Sequence, residues 1–193
     1  MTQTNVFEIV GRVTKDVTLT KSRNGLAIAH CRVAVERNKH SKSNHSVYMT
    51  LYAGRKIGQA MAYNIGRGMY VKFYVTYQEN MYKPNLASKA VWLASYNVKH
   101  FEKLDKPAYT NCGQISGQIV KLHSVKSYVR AAIQTKNGLV FVKAYRKQPK
   151  DALKKHTKGS KIDLTASFKH NIIRNHSGYK YGYQVFTSVD HVN

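Results

Sequence analysis

Hydrophobic and polar residues alternate over most of this chain, with the period of two that is typical of β-strands with one buried face. The clearest case is the segment 69–82, MYVKFYVTYQENMY. One parity of this segment is apolar: Val71, Phe73, Val75 and Tyr77. The other parity mixes tyrosine with lysine: Tyr70, Lys72, Tyr74 and Thr76. We predict a strand with one face in a core and one face in solvent. A loop at 78–86 should lead from it into a returning strand at 88–96.

The segments before this hairpin show the same alternation, interrupted by turn signals. Asn24-Gly25 is a strong hairpin turn signal. The composition after residue 54 favours a helix that ends near Gly68. The predicted elements are strands at 5–14, 26–36 and 46–53 and a helix at 55–65. The order strand, strand, strand, helix, strand, strand is that of the OB-fold, a small barrel that binds oligonucleotides.

The same pattern of residues begins again in the second half of the chain. The run IVGRVTK at Ile9–Lys15 is matched by ISGQIVK at Ile115–Lys121. The pair RK at 55–56 is matched by RK at 146–147, and in both places a glycine follows 13 positions after the arginine. Several matches in the same order indicate an internal repeat.

The repeat predicts an all-β protein built from two tandem OB-fold barrels with one short helix in each. We place the first domain at 1–103, a linker at 104–111 and the second domain at 112–193. The second and third strands of the second barrel are expected at 128–135 and 139–145, on either side of the turn signal Asn137-Gly138. Their outer parity combines rings with positive charges: Tyr128, Arg130, Phe141, Lys143 and Tyr145.

Positive charge dominates the composition. The 193 residues contain 32 Lys and Arg against 9 Asp and Glu, a formal charge of +23. The charge is +11 in residues 1–106 and +12 in residues 107–193, so it does not come from a basic tail. Such an excess predicts an anionic partner, with nucleic acid first and an anionic membrane second.

Several other function classes find no support in the sequence. There is no apolar run of about 18 residues and no leader pattern, so we expect neither a membrane span nor secretion. Cys31 and Cys112 have no paired spacing and indicate reduced thiols in a cytoplasmic protein. The histidines have no zinc spacing, and the dispersed acids form no catalytic motif. We therefore expect no metal, no cofactor and no catalytic residues.

Residues 5–103 carry a series of motifs in a fixed order. They are Asn5 with VGRVTKD at 10–16, GLAIA at 25–29 leading to Ala34-Val35, Arg55-Lys56, Tyr63 and Gly68, and finally Val98, Phe101 and Glu102. In these residues the chain resembles the bacterial single-stranded-DNA-binding protein (SSB) family. One departure is Val17, which stands where the family usually has a proline. The second half resembles the family only through its match to the first half.

The resemblance implies OB barrels over which single-stranded DNA wraps. The stacking aromatics of the family would fall on Tyr48 and Tyr82, and a third would fall on Gly54, for which Tyr52 can substitute. Tyr145 occupies the place equivalent to Gly54 in the second barrel. The acidic C-terminal tip through which the family recruits replication proteins has no counterpart in residues 189–193. Because family assemblies commonly contain four barrels, a chain with two barrels is expected to form a homodimer.

The residues expected to contact nucleic acid lie on the outer strand faces and in the nearby loops. Tyrosine rings would stack on unpaired bases, while lysine and arginine would contact phosphates. The predicted set is Tyr48, Tyr82, Tyr52, Tyr74, Arg12, His30, Arg32, Arg55, Lys56, Lys72, Lys83, Tyr128, Arg130, Phe141, Lys143, Tyr145 and Arg146.

The function predicted from the sequence is sequence-independent binding and protection of single-stranded DNA in replication, recombination or DNA transfer. An RNA-binding OB protein and a structural component of a primosome or conjugation complex remain open as alternatives. Binding to acidic lipids ranks last, because no stretch has the pattern of a basic amphipathic helix. The duplicated barrel and the absent acidic tip suggest a phage or mobile-element protein.

Overall fold

The computed structural model describes residues 5–22, 24–35, 46–82, 91–174 and 180–193. Most of these residues belong to strands, which confirms the predicted all-β class. The elements within these ranges are β1 (Asn5–Val13), β2 (Thr18–Lys21), β3 (Ala27–Val35), β4 (Val47–Gly54), α1 (Arg55–Asn64), β5 (Tyr70–Tyr82), β6 (Val91–Leu104), β7 (Asn111–Ser124), β8 (Val129–Thr135), β9 (Gly138–Ala144), α2 (Lys147–Lys154), β10 (Lys161–Arg174) and β11 (Lys180–Val192). Each helix follows the strand after which the sequence predicts it.

Hydrogen-bonded strand pairs close each half of the chain into a barrel. In the first half, β1 pairs with β3 and β5, β3 pairs with β4, and β5 pairs with β6. A short parallel contact between Tyr52 of β4 and Asn97 of β6 completes the ring. In the second half, β7, β8, β9, β11 and β10 form the equivalent ring, in which the β9–β11 contact is the parallel one. Both rings have the architecture of the predicted OB-fold.

The two barrels are joined edge to edge. β1 and β7 are antiparallel neighbours from the pair Asn5 and Ile115 to the pair Ile9 and Asn111. The predicted linker is short: β6 ends at Leu104, β7 begins at Asn111, and the carbonyl of Thr110 accepts a hydrogen bond of 2.8 Å from the amide of Val10. The division of the chain into two domains remains a prediction.

Each first strand changes its neighbour at a glycine. β1 pairs with β7 as far as Ile9 and with β3 from Gly11 onward. A Cβ atom on Gly11 would lie 3.1 Å from the Cβ of Val33, and one on Gly117 of β7 would lie 2.3 Å from the carbonyl oxygen of Gln134. Glycine permits the close approach of strands that this exchange of partners requires.

The predicted inner parities form the core. Val71, Phe73, Val75 and Tyr77 are all buried, as the alternation predicts. Where the barrels meet, Phe7 and Phe168 stack with ring centroids 4.3 Å apart, and Tyr77 and Tyr96 pack against Phe168 at 5.7 and 5.1 Å. Aromatic pairs of this kind contribute about 0.5–1.5 kcal/mol each beyond the burial of their area. The hydrophobic core therefore continues from one barrel into the other.

The two cysteines differ in their access to solvent. Cys31 lies in the core, and burial raises the pKa of its thiol to about 12. Cys112 is exposed. Because a thiol must be accessible to the reagent, we expect a thiol reagent to label Cys112 in the native protein and Cys31 only after unfolding. Cys112→Ser should remove the reaction of the native protein, and rapid native labelling of that variant would contradict the placement of Cys31.

Candidate nucleic-acid interface

The outer side of β3 and β4 brings together four residues of the predicted set, and we call these the β3–β4 face: His30, Arg32, Tyr48 and Tyr52. His30 lies opposite Tyr52, and their rings make an edge contact at 5.1 Å. The hydroxyl of Thr20 forms a hydrogen bond of 2.7 Å with the Nε2 of His30. Tyr48 keeps 41% of its surface exposed, and Arg32 is also exposed. The outer side of β3 and β4 therefore combines aromatic rings with an exposed arginine.

Arg12 extends the β3–β4 face onto the neighbouring strand. The strand register places Tyr70 of β5, Arg12 of β1, Ala34 of β3 and Tyr48 of β4 in a single row. Residues directly opposite on neighbouring strands have their Cβ atoms about 5 Å apart. The small side chain of Ala34 separates Arg12 from Tyr48. A polyanion that crosses this row would therefore meet a cation and then an aromatic ring.

A groove of about 830 Å³ lies beside the β3–β4 face, between the β2–β3 turn and the β5–β6 hairpin. Tyr52 and Arg55 form part of its wall. Leu26 and Met81 line it with apolar surface and are 50% and 65% exposed. Arg55 and its exposed neighbour Lys56 begin α1, so their charges add to the positive end of the helix.

Lys72 and Tyr74 lie on a different side of the first barrel, which separates them from the rest of the predicted set. They belong to β5, which β1 and β6 separate from β3 and β4 around the ring. The ammonium group of Lys72 contacts Glu8 at 3.1 Å and lies 5.3 Å above the ring of Tyr74. Hydrogen bonds to Tyr74 and Glu8 raise the pKa of Lys72. Outer parity identifies the solvent side of β5 as far as Tyr74, but Thr76, predicted on the same side, is buried beyond the register shift between Tyr74 and Val75. Parity also does not tell on which side of a closed barrel a strand lies.

The second barrel carries a denser arrangement, in which positive charges lie over aromatic rings. The guanidinium carbon of Arg130 is 4.4 Å from the centroid of the Phe141 ring. The ammonium group of Lys143 lies between two rings, 5.6 Å from Tyr128 and 5.3 Å from Phe186. We call this surface the β8–β9 face, formed by Tyr128, Arg130, Phe141, Lys143, Tyr145 and Phe186.

Burial and the nearby charge of Arg130 lower the pKa of Lys143. The two cations are direct neighbours across β8 and β9, so a phosphate placed between them would relieve their mutual repulsion. Tyr145 completes the face, with its ring 5.5 Å from Tyr128 and 5.6 Å from Phe186. The structure therefore brings the predicted residues of β8 and β9 together.

Phe186 belongs to this face but is absent from the predicted set. It reaches the face because β11 lies beside β9 through the parallel pairs of Val142 with Thr187 and Lys143 with Ser188. This contact joins positions more than 40 residues apart, and no local signal in the sequence announces it. Arg146, a member of the predicted set, is exposed at the N-cap of α2, directly after Tyr145.

Two predicted residues cannot be placed on either face. The backbone of Tyr82 ends β5 and pairs with Val91, while its side chain lies outside the described residues, as does all of Lys83. Within the described ranges, no three or more His, Cys, Asp or Glu side chains are grouped as metal ligands would be. The helices described here are too short and too polar to cross a membrane.

Comparison with known proteins supports the fold. Neither a protein-family model nor a curated protein matches this sequence. Among solved structures, the chain is similar to the wild-type single-stranded DNA binding protein from Thermus aquaticus, with a TM-score of 0.76 and 12% identity over 100% of this chain and 93% of that one. A deletion mutant of the same Thermus aquaticus protein gives a TM-score of 0.73 at 12% identity, over 100% and 94% of the two chains. At this identity the likeness establishes the SSB-like fold.

Proposed function

We propose that this protein binds single-stranded DNA without sequence preference, and that it acts as a binding protein rather than an enzyme. The observation that carries the proposal is the β8–β9 face, where Arg130 and Lys143 lie over aromatic rings. Flat rings can stack on any unpaired base, and the neighbouring cations can neutralise the phosphates. The two solved structures of the same fold are both of a single-stranded DNA binding protein, which favours the same ligand here.

The two barrels would contribute to binding in different ways. The facing pair on β3 and β4 is His30 with Tyr52, whereas the facing pair on β8 and β9 is Arg130 with Lys143. The first pair supplies mainly ring surface, and the second supplies two positive charges. We therefore propose that the β3–β4 face contributes mainly stacking, whereas the β8–β9 face combines stacking on its rings with most of the phosphate contacts.

We further propose that the two halves are copies of one OB-fold domain and that two chains assemble into a homodimer with four barrels. The matching ring of strand pairs in each half supports the first statement. Protection of exposed strands during replication, recombination or transfer is the cellular role that such binding would serve. The mass of the free protein in solution, measured by light scattering, tests the dimer, and a monomer mass would rule it out.

Titration of labelled DNA tests the binding proposal directly. We expect a dT oligomer to bind more tightly than a duplex of the same length, because stacked and paired bases cannot reach the aromatic side chains. The logarithm of the binding constant should fall linearly with the logarithm of the salt concentration, with a slope of roughly −0.7 for each phosphate neutralised. A preference for duplex, or a flat salt dependence, would contradict the proposal. Tighter binding of a matched RNA oligomer would replace DNA with RNA as the ligand.

A further inference from the structure

Beyond the first barrel, the β5–β6 hairpin reaches across to the second barrel. Tyr77 and Glu79 point to the same side of β5. At Tyr77 this side still faces the core, whereas at Glu79 the strand has passed its own barrel and the side chain faces β9. The hydroxyl of Tyr77 donates hydrogen bonds to the Oε1 of Glu79 and, at 3.4 Å, to the carbonyl oxygen of Phe141 on β9. The side chain of Gln78 lies against the turn before β9, with its Oε1 3.4 Å from the position of a Cβ on Gly138. The hairpin thus carries a carboxylate to the edge of the β8–β9 face.

The surroundings of Glu79 are those of a bound anion. Its carboxylate accepts a hydrogen bond from Tyr77, whose hydroxyl also contacts the carbonyl oxygen of Phe141, the residue whose ring centroid lies 4.4 Å from the guanidinium carbon of Arg130. The backbone amide of Phe141 donates a second hydrogen bond to the carboxylate, and the charges of Arg130 and Lys143 act on it from beyond ion-pair distance. Burial raises the pKa of Glu79, while the Tyr77 hydroxyl and the two cations oppose that rise. A backbone amide, a hydroxyl and two cations are also the groups that commonly hold a phosphate in proteins.

The internal repeat argues that the fold itself does not require an acid here. Tyr77 corresponds to Phe168, so the position that corresponds to Glu79 is His170. His170 is buried, and the β10–β11 hairpin that carries it contacts β4 of the first barrel, as the β5–β6 hairpin contacts β9 of the second. The contact between a hairpin and the opposite barrel is therefore made in one case with a carboxylate, at Glu79, and in the other with a histidine, at His170.

We propose that Glu79 occupies a phosphate position of the β8–β9 face, so that its carboxylate takes the place of one phosphate of single-stranded DNA beside Arg130 and Lys143. This inference rests on the proposed function and adds a residue that limits the affinity for single-stranded DNA. Glu79 weakens binding by competing with the phosphate, and it keeps two neighbouring cations compensated while the face is empty.

Glu79→Gln tests this inference, because glutamine keeps the shape and the accepting oxygen but removes the charge. We expect a dT oligomer to bind roughly three- to tenfold more tightly at about 0.1 M salt. The salt slope should steepen by roughly 0.7, the value for one additional phosphate contact on a single strand. Glu79→Asp keeps the charge and should retain the slope of the unmodified protein.

Glu102→Gln is the matched control. It also removes one negative charge, but from an exposed side chain of β6 whose Oε1 lies 3.5 Å from the Nε2 of His100. It should change the affinity less than about twofold and leave the slope unaltered. If Glu79→Gln behaves like this control, or weakens binding without changing the slope, Glu79 only positions the hairpin and the inference is wrong. If the unmodified protein does not bind the oligomer at all, the proposed function itself fails.

Discussion

Phe168→Ala should lower the free energy of unfolding by about 3–5 kcal/mol, the usual cost of removing a buried phenylalanine side chain. Phe168 is 1% exposed and belongs to the second barrel, but its ring packs on Phe7, Tyr77 and Tyr96 of the first. The cavity would therefore open between the barrels. We expect both halves to lose stability together and to unfold in one transition.

Urea denaturation followed by two probes can test this expectation. Trp92, the single tryptophan of the chain, belongs to β6 in the first half of the chain, whereas far-ultraviolet circular dichroism follows the strands of both halves. Phe168→Ala should shift both transitions by the same amount. A tryptophan transition that stays in place would show that the halves unfold independently. Tyr63→Ala, which truncates a side chain 89% exposed on α1, should leave both midpoints unchanged.

Strand faces and helices could be predicted because their signals are local. The alternation along β5 identifies the buried Val71, Phe73 and Val75, and that along β4 identifies the buried Met49 and Leu51. Each parity follows from the pleat of one strand and needs no knowledge of its neighbours. The same locality made the outer residues of β8 and β9 predictable as a group, because a tight turn of known register joins these two strands.

Contacts between strands distant in the sequence could not be predicted in this way. The parallel closure that brings Phe186 to Lys143 and the β1–β7 junction between the barrels both join residues with no shared local pattern. The same limit explains why Lys72 and Tyr74, on the correct parity of β5, are separated from the β3–β4 face. It also explains why the alternation assigns Glu79 no role, since its surroundings come largely from the other barrel.

Replacing both Tyr128 and Phe141 by alanine should produce the largest loss of binding. Each base stacked on an aromatic ring contributes about 1–3 kcal/mol, so the double variant should bind a dT oligomer about 2–6 kcal/mol more weakly, which is roughly 30-fold at the least. Both side chains are outside the core, on the outer side of the strands. Their removal should therefore cost much less folding stability than Phe168→Ala. The salt slope should change little, because Arg130 and Lys143 remain.

The complementary variant replaces Arg130 and Lys143 by alanine and leaves the rings in place. It should reduce the salt slope by roughly 0.7 for each lost phosphate contact, and its loss of affinity should shrink as salt increases. The opposite behaviour of the two variants is what separates stacking from charge on one surface. Equal salt slopes in both variants would show that the two groups of side chains do not act as proposed. Tyr63→Ala serves as the reference for the loss of an exposed ring. If the double variant of Tyr128 and Phe141 binds the oligomer as tightly as Tyr63→Ala does, the β8–β9 face does not contact the DNA.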